Sequence, residues 1–79
     1  MLVKSQITGA QIKAARGLLG LKQSELAELA GLSRRALVAI ENGQVRPRKA
    51  NLARVRQALE ERGAEFRDGG VGRVPNQPA

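Results

Sequence analysis

Apolar residues recur in the first sixty positions at spacings of three and four, the period of an amphipathic helix. The clearest case lies between residues 23 and 42, where two such stretches are separated by Gly31 and Ser33. Glycine commonly ends a helix in the left-handed conformation, and serine is a favourable N-cap for the next helix. The apolar positions that share a face across the two stretches are Leu26, Leu29, Ala30, Leu37 and Ile40. This pattern predicts two short helices joined by a tight turn, a helix-turn-helix.

Similar patterns predict one helix before this motif and one after it. Thr8 and Gln11 have the spacing of a capping box, which predicts the start of the first helix, whereas Lys22 is a poor N-cap for the second. Pro47 disfavours helix at the residue before it and commonly stands near a helix start. The predicted helices cover about residues 9–19, 23–30, 34–41 and 49–62.

The last sixteen residues have a different character. The turn signal Asp68-Gly69-Gly70 separates two short runs, residues 64–67 and 71–74, that could pair as a hairpin. Pro75 and Pro78 favour a disordered end, and Leu2-Val3 could form a small strand or fray. The expected architecture is an all-α bundle of four to five helices in a helix-turn-helix domain (1–63), with an extended or hairpin tail (64–79).

The residue inventory disfavours catalysis and metal binding. The chain of 79 residues contains no Cys and no His, so disulfides, thiolate ligands and the usual general base are missing. We therefore expect one small domain that is not an enzyme and has no cofactor and no metal site. No apolar run has the length of a membrane span, and no signal peptide follows Met1, so a cytoplasmic location, with nucleoid association when bound to DNA, is expected.

The positive charge is concentrated in and just after the helix-turn-helix. The net charge is +7, and residues 34–56 carry seven basic residues against one acidic residue. A basic field that coincides with such a motif favours binding to nucleic acid phosphate. The alternative is a solvated basic surface, which is common on small proteins.

Three stretches together resemble one family. The segments LGLKQSELA (19–27), AGLS (30–33) and IENG (40–43) are similar to the Cro/phage-repressor-like helix-turn-helix proteins. The resemblance covers about residues 7–59 and implies a compact helical bundle that binds operator DNA as a dimer and regulates transcription. It also implies a structural ion pair between Arg16 and Glu41. Together with the basic loop after the third helix, it indicates these DNA-binding residues: Gln23, Ser33, Arg34, Arg35, Val38, Ala39, Asn42, Arg46, Arg48 and Lys49.

Each of these residue types suits a particular contact. Arginine can bond guanine O6 and N7 together, so we expect one of Arg34 and Arg35 to read a base and the other to hold a phosphate. Val38 could meet thymine methyl groups or could pack at the edge of the core. Gln23 stands where free N–H groups and the helix dipole favour a phosphate. The loop residues are expected to contact phosphate, with the minor groove a second possibility for Arg48.

Two alternatives concern assembly and function. The helix that often follows the fourth one in this family is missing, so Phe66, Val71 and Val74 are the predicted dimer element, although Phe66 could equally cover the chain's own core. The second functional hypothesis is an antitoxin or anti-activator that acts through contacts with a partner protein. A third is a basic RNA-binding or nucleoid-like protein without sequence preference.

Overall fold

Four helices and one hairpin make up the fold of the described residues. The computed structural model describes residues 7–73. The four helices and the hairpin confirm the predicted architecture, although the fourth helix is two residues shorter than expected. The expectations for Leu2-Val3 and for the end of the chain lie outside the described residues. The elements are α1 (Gly9–Leu19), α2 (Gln23–Ala30), α3 (Arg34–Glu41), α4 (Lys49–Glu60), β1 (Ala64–Arg67) and β2 (Gly70–Arg73).

Local side-chain bonds fix the starts of the first three helices. The Gln11 amide donates to the Thr8 hydroxyl over 3.1 Å, and the Thr8 amide donates to Gln11 Oε1 over 2.9 Å, which completes the capping box. At α2 the Glu25 carboxylate accepts from the Lys22 amide over 2.8 Å, so Glu25 compensates for the poor N-cap. The hydroxyl of Ser33 accepts from the amide of Ala36 over 3.0 Å at the start of α3.

The first three helices end in the same turn. At each end the backbone amide of the residue that follows the turn glycine donates to a carbonyl five residues back, which is the Schellman motif. The glycine inside each turn has φ of about +70°. The donors, with their distances, are Leu21 to Arg16 (3.0 Å), Leu32 to Ala27 (2.8 Å) and Gln44 to Ala39 (2.9 Å).

The core lies where the four helices meet. Its fully buried large side chains are Ile12, Leu26, Leu37, Val55 and Leu59. The prediction for Leu29 was wrong, because this side chain is 43% exposed while Ala27 is buried. At 100° per residue, Leu29 lies about 110° from the centre of the face that α2 buries against its neighbours. Helical spacing alone puts Leu29 on the same face as Leu26 and Ala30. However, α2 packs against both α3 and α4, and the face that it buries in these contacts does not include Leu29.

The start of α1 packs tightly against the end of α3. A Cβ atom added at Gly9 would clash with the carbonyl oxygen of Ile40 and would lie 2.8 Å from that of Glu41. Because glycine has no side chain, the first turn of α1 can approach the last carbonyls of α3 directly. This contact fixes where α3 ends relative to α1.

The hairpin is attached to the helical bundle through its inner face. In the register of the two strands, Phe66 lies opposite Val71, and both pack against the hydrophobic core. Gln11 Nε2 also donates to the carbonyl oxygens of Arg67 and Gly70, over 2.7 and 2.8 Å. A hairpin that would be marginal on its own is thus stabilised by α1 and α4. Within the described residues, each strand has a strand neighbour on one side only.

Candidate nucleic-acid interface

The outward face of α3 lines an open groove. Its lining combines two exposed arginines, two half-buried small apolar residues and two residues of the following loop. The groove has a volume of about 620 Å³. The residues that line it are Arg34, Arg35, Val38, Ala39, Gln44 and Val45.

The opposite face of α3 explains this orientation. Leu37, Ile40 and Glu41 are buried, so the groove is lined by the rest of the α3 surface, where Val38 and Ala39 are half-buried. Arg34 and Arg35 lie in the first turn of α3 and are exposed. Consecutive residues differ by about 100° in direction, yet both arginines line the same groove because their side chains are long.

A buried ion pair holds α3 against α1. Arg16 Nε lies 2.8 Å from Glu41 Oε2, and Arg16 Nη2 lies 3.1 Å from Glu41 Oε1. This is the pair that the family resemblance implies. The Glu41 side chain is only 1% exposed and that of Arg16 is 18% exposed. Arg16 Nη1 also donates a hydrogen bond to the carbonyl oxygen of Leu21 over 3.1 Å, so the guanidinium stabilises the turn before α2 as well.

The same carboxylate binds Gln23, the first residue of α2. Gln23 Nε2 donates to Glu41 Oε1 over 3.1 Å. Sequence reasoning considered Gln23 only as a phosphate ligand and missed this bond, because the two residues are 18 positions apart. One carboxylate therefore sets the positions of α1, α2 and α3 relative to one another, and the start of α2 is fixed beside the end of α3.

The remaining expected contact residues do not line the groove. Asn42 caps the end of α3 and is exposed, and Arg46 is exposed in the loop that follows. Arg48 is the N-cap of α4 and makes no side-chain capping bond, while Lys49 is the first residue of that helix; both are exposed. Ser33 uses its hydroxyl as the N-cap of α3. The structure thus leaves these residues accessible at the ends of α3 and in the segment that follows it, with Lys49 in a different pocket beside Leu52 and Arg56.

Two basic residues of α4 differ in environment. Arg56 lies over the ring of Phe66, 5.6 Å from its centroid, and its Nε pairs with Glu60 over 2.9 Å. Such a cation–π contact and ion pair account for Arg56 structurally. Arg54 is exposed and contacts Asn51 over 3.4 Å. Not all of the basic charge in residues 34–56 is therefore directed to a ligand.

Two groove residues were missed by the sequence analysis. Gln44 and Val45 line the groove beside α3, and Val45 is 50% exposed. The signal for them was present in Asn42-Gly43, because a glycine in a Schellman motif turns the chain back along the helix it ends.

The residues expected at a dimer interface have contacts within the chain. Phe66 and Val71 are half-buried and pack against the chain's own core, which is the alternative left open for Phe66. Val74 lies outside the described residues. The outer face of the hairpin is polar and carries the exposed ion pair of Arg67 with Glu65, 2.8 Å apart.

No helix in the described part of the chain is long and apolar enough to cross a membrane.

Comparison with known proteins agrees with this geometry. No curated protein matches the chain significantly. Among solved structures, the chain is similar to the DNA-binding domain (1–76) of the P22 C2 repressor, determined by nuclear magnetic resonance in solution. The TM-score is 0.65 and the identity is 29%, over 73% of this chain and 76% of that one. A helix-turn-helix family model matches residues 12–66. The chain therefore belongs to the Cro/phage-repressor-like helix-turn-helix family, whose fold is that of DNA-binding transcription regulators rather than of enzymes.

Proposed function

We propose that this protein is a sequence-specific transcriptional regulator, acting as a repressor, that binds an inverted-repeat operator as a homodimer. The observation that carries the proposal is the groove on α3, where Arg34 and Arg35 lie beside the half-buried Val38 and Ala39 and the exposed Val45. A major groove admits one helix and presents both hydrogen-bond acceptors and thymine methyl groups to it. A surface built to cover a protein partner would be richer in apolar or acidic groups.

The two arginines have different tasks in this proposal. One gives two parallel hydrogen bonds to guanine O6 and N7, and the other neutralises a neighbouring phosphate. Both start from the first turn of α3, the part of a recognition helix that enters the groove first. The ion pair of Glu41 with Arg16 supports this role, because it holds α3 rigidly and leaves the outward arginines without an intramolecular acid on their own helix.

The flanking residues supply affinity. Arg46, Arg48 and Lys49 are exposed in the segment that follows α3 and would contact phosphates flanking the bases read by α3. Gln23 would contribute at the start of α2, where its carboxamide is held by Glu41 at a fixed angle. Ser33 and Asn42, at the two ends of α3, would add polar contacts to the DNA backbone. Contacts of this kind set register and salt dependence rather than sequence preference.

A dimer is part of the proposal because one recognition helix reads only a few base pairs. Two helices related by a two-fold axis would occupy successive major grooves, about 34–36 Å apart. The hairpin offers strand edges for this contact, and its inner face is already covered by the core. Edge-to-edge pairing of two hairpins would join the chains isologously, with Phe66 and Val71 supporting the strands from within each chain.

Repression follows from occupancy in this scheme. A dimer on an operator that overlaps a promoter would exclude polymerase, and an operator at its own promoter would make the protein's synthesis depend on its concentration.

Selection of bound duplexes from a random DNA pool at physiological salt tests the proposal. We expect an inverted repeat whose half-site centres are about 10–10.5 base pairs apart or a multiple of that spacing. Scrambled competitor DNA should displace the protein far less well than the selected site. Binding without an enriched sequence would refute specific regulation and favour a nucleoid-like role. Failure to bind any duplex would favour the antitoxin or anti-activator hypothesis.

A further inference from the structure

The third Schellman turn differs from the first two in the side chains that follow its glycine. After α1 and α2 the residue that follows the turn glycine is a leucine, Leu21 and Leu32, and both pack against the core. After α3 the same position is Gln44, and the next residue, Val45, is 50% exposed. The same backbone geometry thus directs a leucine against the core after α1 and α2, whereas after α3 it exposes Gln44 and Val45.

The turn holds Val45 beside the recognition helix. The amide of Gln44 donates to the Ala39 carbonyl over 2.9 Å, and that of Gly43 donates to the Ile40 carbonyl over 3.1 Å. These bonds fold the chain back along the last turn of α3, so Val45 and Val38 line one groove. Pro47, two residues later, restricts the backbone further. An exposed valine on a well-defined turn is a contact residue of low entropic cost, since it has only one side-chain torsion to fix.

We propose that Val45, together with Val38, forms an apolar pocket for a thymine C5-methyl group and is a specificity-determining residue outside the recognition helix. The inference rests on the proposed function, because it takes the groove on α3 to be the base-reading surface. Arg34 and Arg35 line the same groove, and their charge matches a phosphate-lined partner rather than an apolar peptide. Among groups exposed in a major groove, the thymine methyl is the apolar one that a valine can cover.

Two exposed apolar residues allow the contact to be tested against a control. Val45 lies in the groove, whereas Leu29 is 43% exposed on α2 beside the end of α4. The duplex recovered by selection from a random pool serves as the probe. Each thymine is replaced in turn by deoxyuridine, which removes only the methyl group. Affinities are then measured for the wild-type chain, Val45→Ala and Leu29→Ala.

The expected result is a loss confined to one position. At one thymine of each half-site, removal of the methyl group should weaken wild-type binding by about fourfold, the value of one buried carbon. Val45→Ala should bind the unmodified duplex more weakly by a similar factor or more and should no longer respond at that position. Leu29→Ala should behave as wild type.

Two outcomes would overturn the inference, and each is distinct from failure of the proposed function. Val45→Ala could keep wild-type affinity for the selected duplex, or it could lose affinity equally with and without every methyl group. In both cases specific binding by the wild-type chain would still stand. If the wild-type chain bound scrambled DNA as well as the selected duplex, the proposed function itself would fall.

Discussion

Glu41 receives hydrogen bonds from two residues, Arg16 of α1 and Gln23 of α2, and thereby joins both helices to α3. The Arg16 guanidinium supplies two of these bonds to the two oxygens of the carboxylate. The planar fork of arginine matches a carboxylate in a way that lysine does not. The pair therefore sets the orientation of α3 as well as holding it.

Removal of Glu41 should destabilise the fold. Glu41→Ala leaves the guanidinium of Arg16 without its buried partner, which can cost about 3–5 kcal/mol. Chemical denaturation followed by circular dichroism measures the loss. Arg16→Lys is the matched control, because it keeps the positive charge but loses the planar fork. Its free energy of unfolding should lie between those of wild type and Glu41→Ala. A free energy of unfolding unchanged in Glu41→Ala would show that the pair does not stabilise the structure.

Two glycines of α1 should respond to alanine in opposite directions. Gly9→Ala places a methyl group against the carbonyl oxygens of Ile40 and Glu41 and should destabilise the fold by about 1–3 kcal/mol. Gly17 has no other atom within 4 Å of an added Cβ, so Gly17→Ala should stabilise the helix by about 0.5–1 kcal/mol. Thermal unfolding of both variants is the measurement. Equal shifts in the same direction would contradict the close approach of α1 and α3.

Replacement of either arginine of the groove should reduce sequence discrimination. Arg34→Ala or Arg35→Ala should cost about 1–3 kcal/mol on the selected operator, and the variant that has lost the base contact should relax one position of the site. Arg62→Ala is a control of equal charge change, since Arg62 lies after α4 and bonds the carbonyl of Ala58. Titrations with operator and scrambled duplexes give both affinities. Full discrimination in both variants would show that α3 does not read bases.

Arg48 should behave differently from these two. Its side chain is exposed and makes no capping bond, so Arg48→Ala should leave the fold intact. Binding should weaken by a similar factor on every sequence, and the slope of log K against log salt should fall in magnitude by about 1. Measurement at several salt concentrations gives the slope. A loss restricted to the operator would assign Arg48 to a base instead of a phosphate.

The hairpin dimer can be tested by cross-linking, since the chain contains no cysteine. Glu65→Cys places a thiol at an exposed position in β1 and removes only an exposed ion pair, which contributes little stability. Oxidation should give a disulfide-linked dimer, whereas Ser24→Cys, exposed on α2, should remain monomeric on a denaturing gel. Sedimentation of the unmodified chain gives its oligomeric state directly. A monomer at operator-binding concentrations, or equal cross-linking at both positions, would contradict the hairpin interface.

Local features explain why much of the fold could be predicted. Thr8, Gly20, Gly31 and Ser33 act within a few residues of themselves, and the helix bounds follow from them. Contacts between distant residues had no local signal. Leu29 satisfied the helical spacing but not the packing of α2, and the bond of Gln23 to Glu41 spans two helices. The place of Val45 in the groove could in principle be predicted from the turn that Gly43 makes.

Gln11 gives the hairpin an energetic link to the helices. Its oxygen closes the N-cap of α1, and its nitrogen holds the two carbonyls that flank the hairpin turn. Detaching the hairpin would break both of those bonds and loosen the side chain that caps α1, whose start in turn packs on the end of α3. A series of direct contacts therefore connects the hairpin to α3. In the proposed dimer, pairing of the two hairpins would lower the entropy that α3 still has to lose when it binds DNA, and by thermodynamic reciprocity DNA binding would tighten the association of the hairpins.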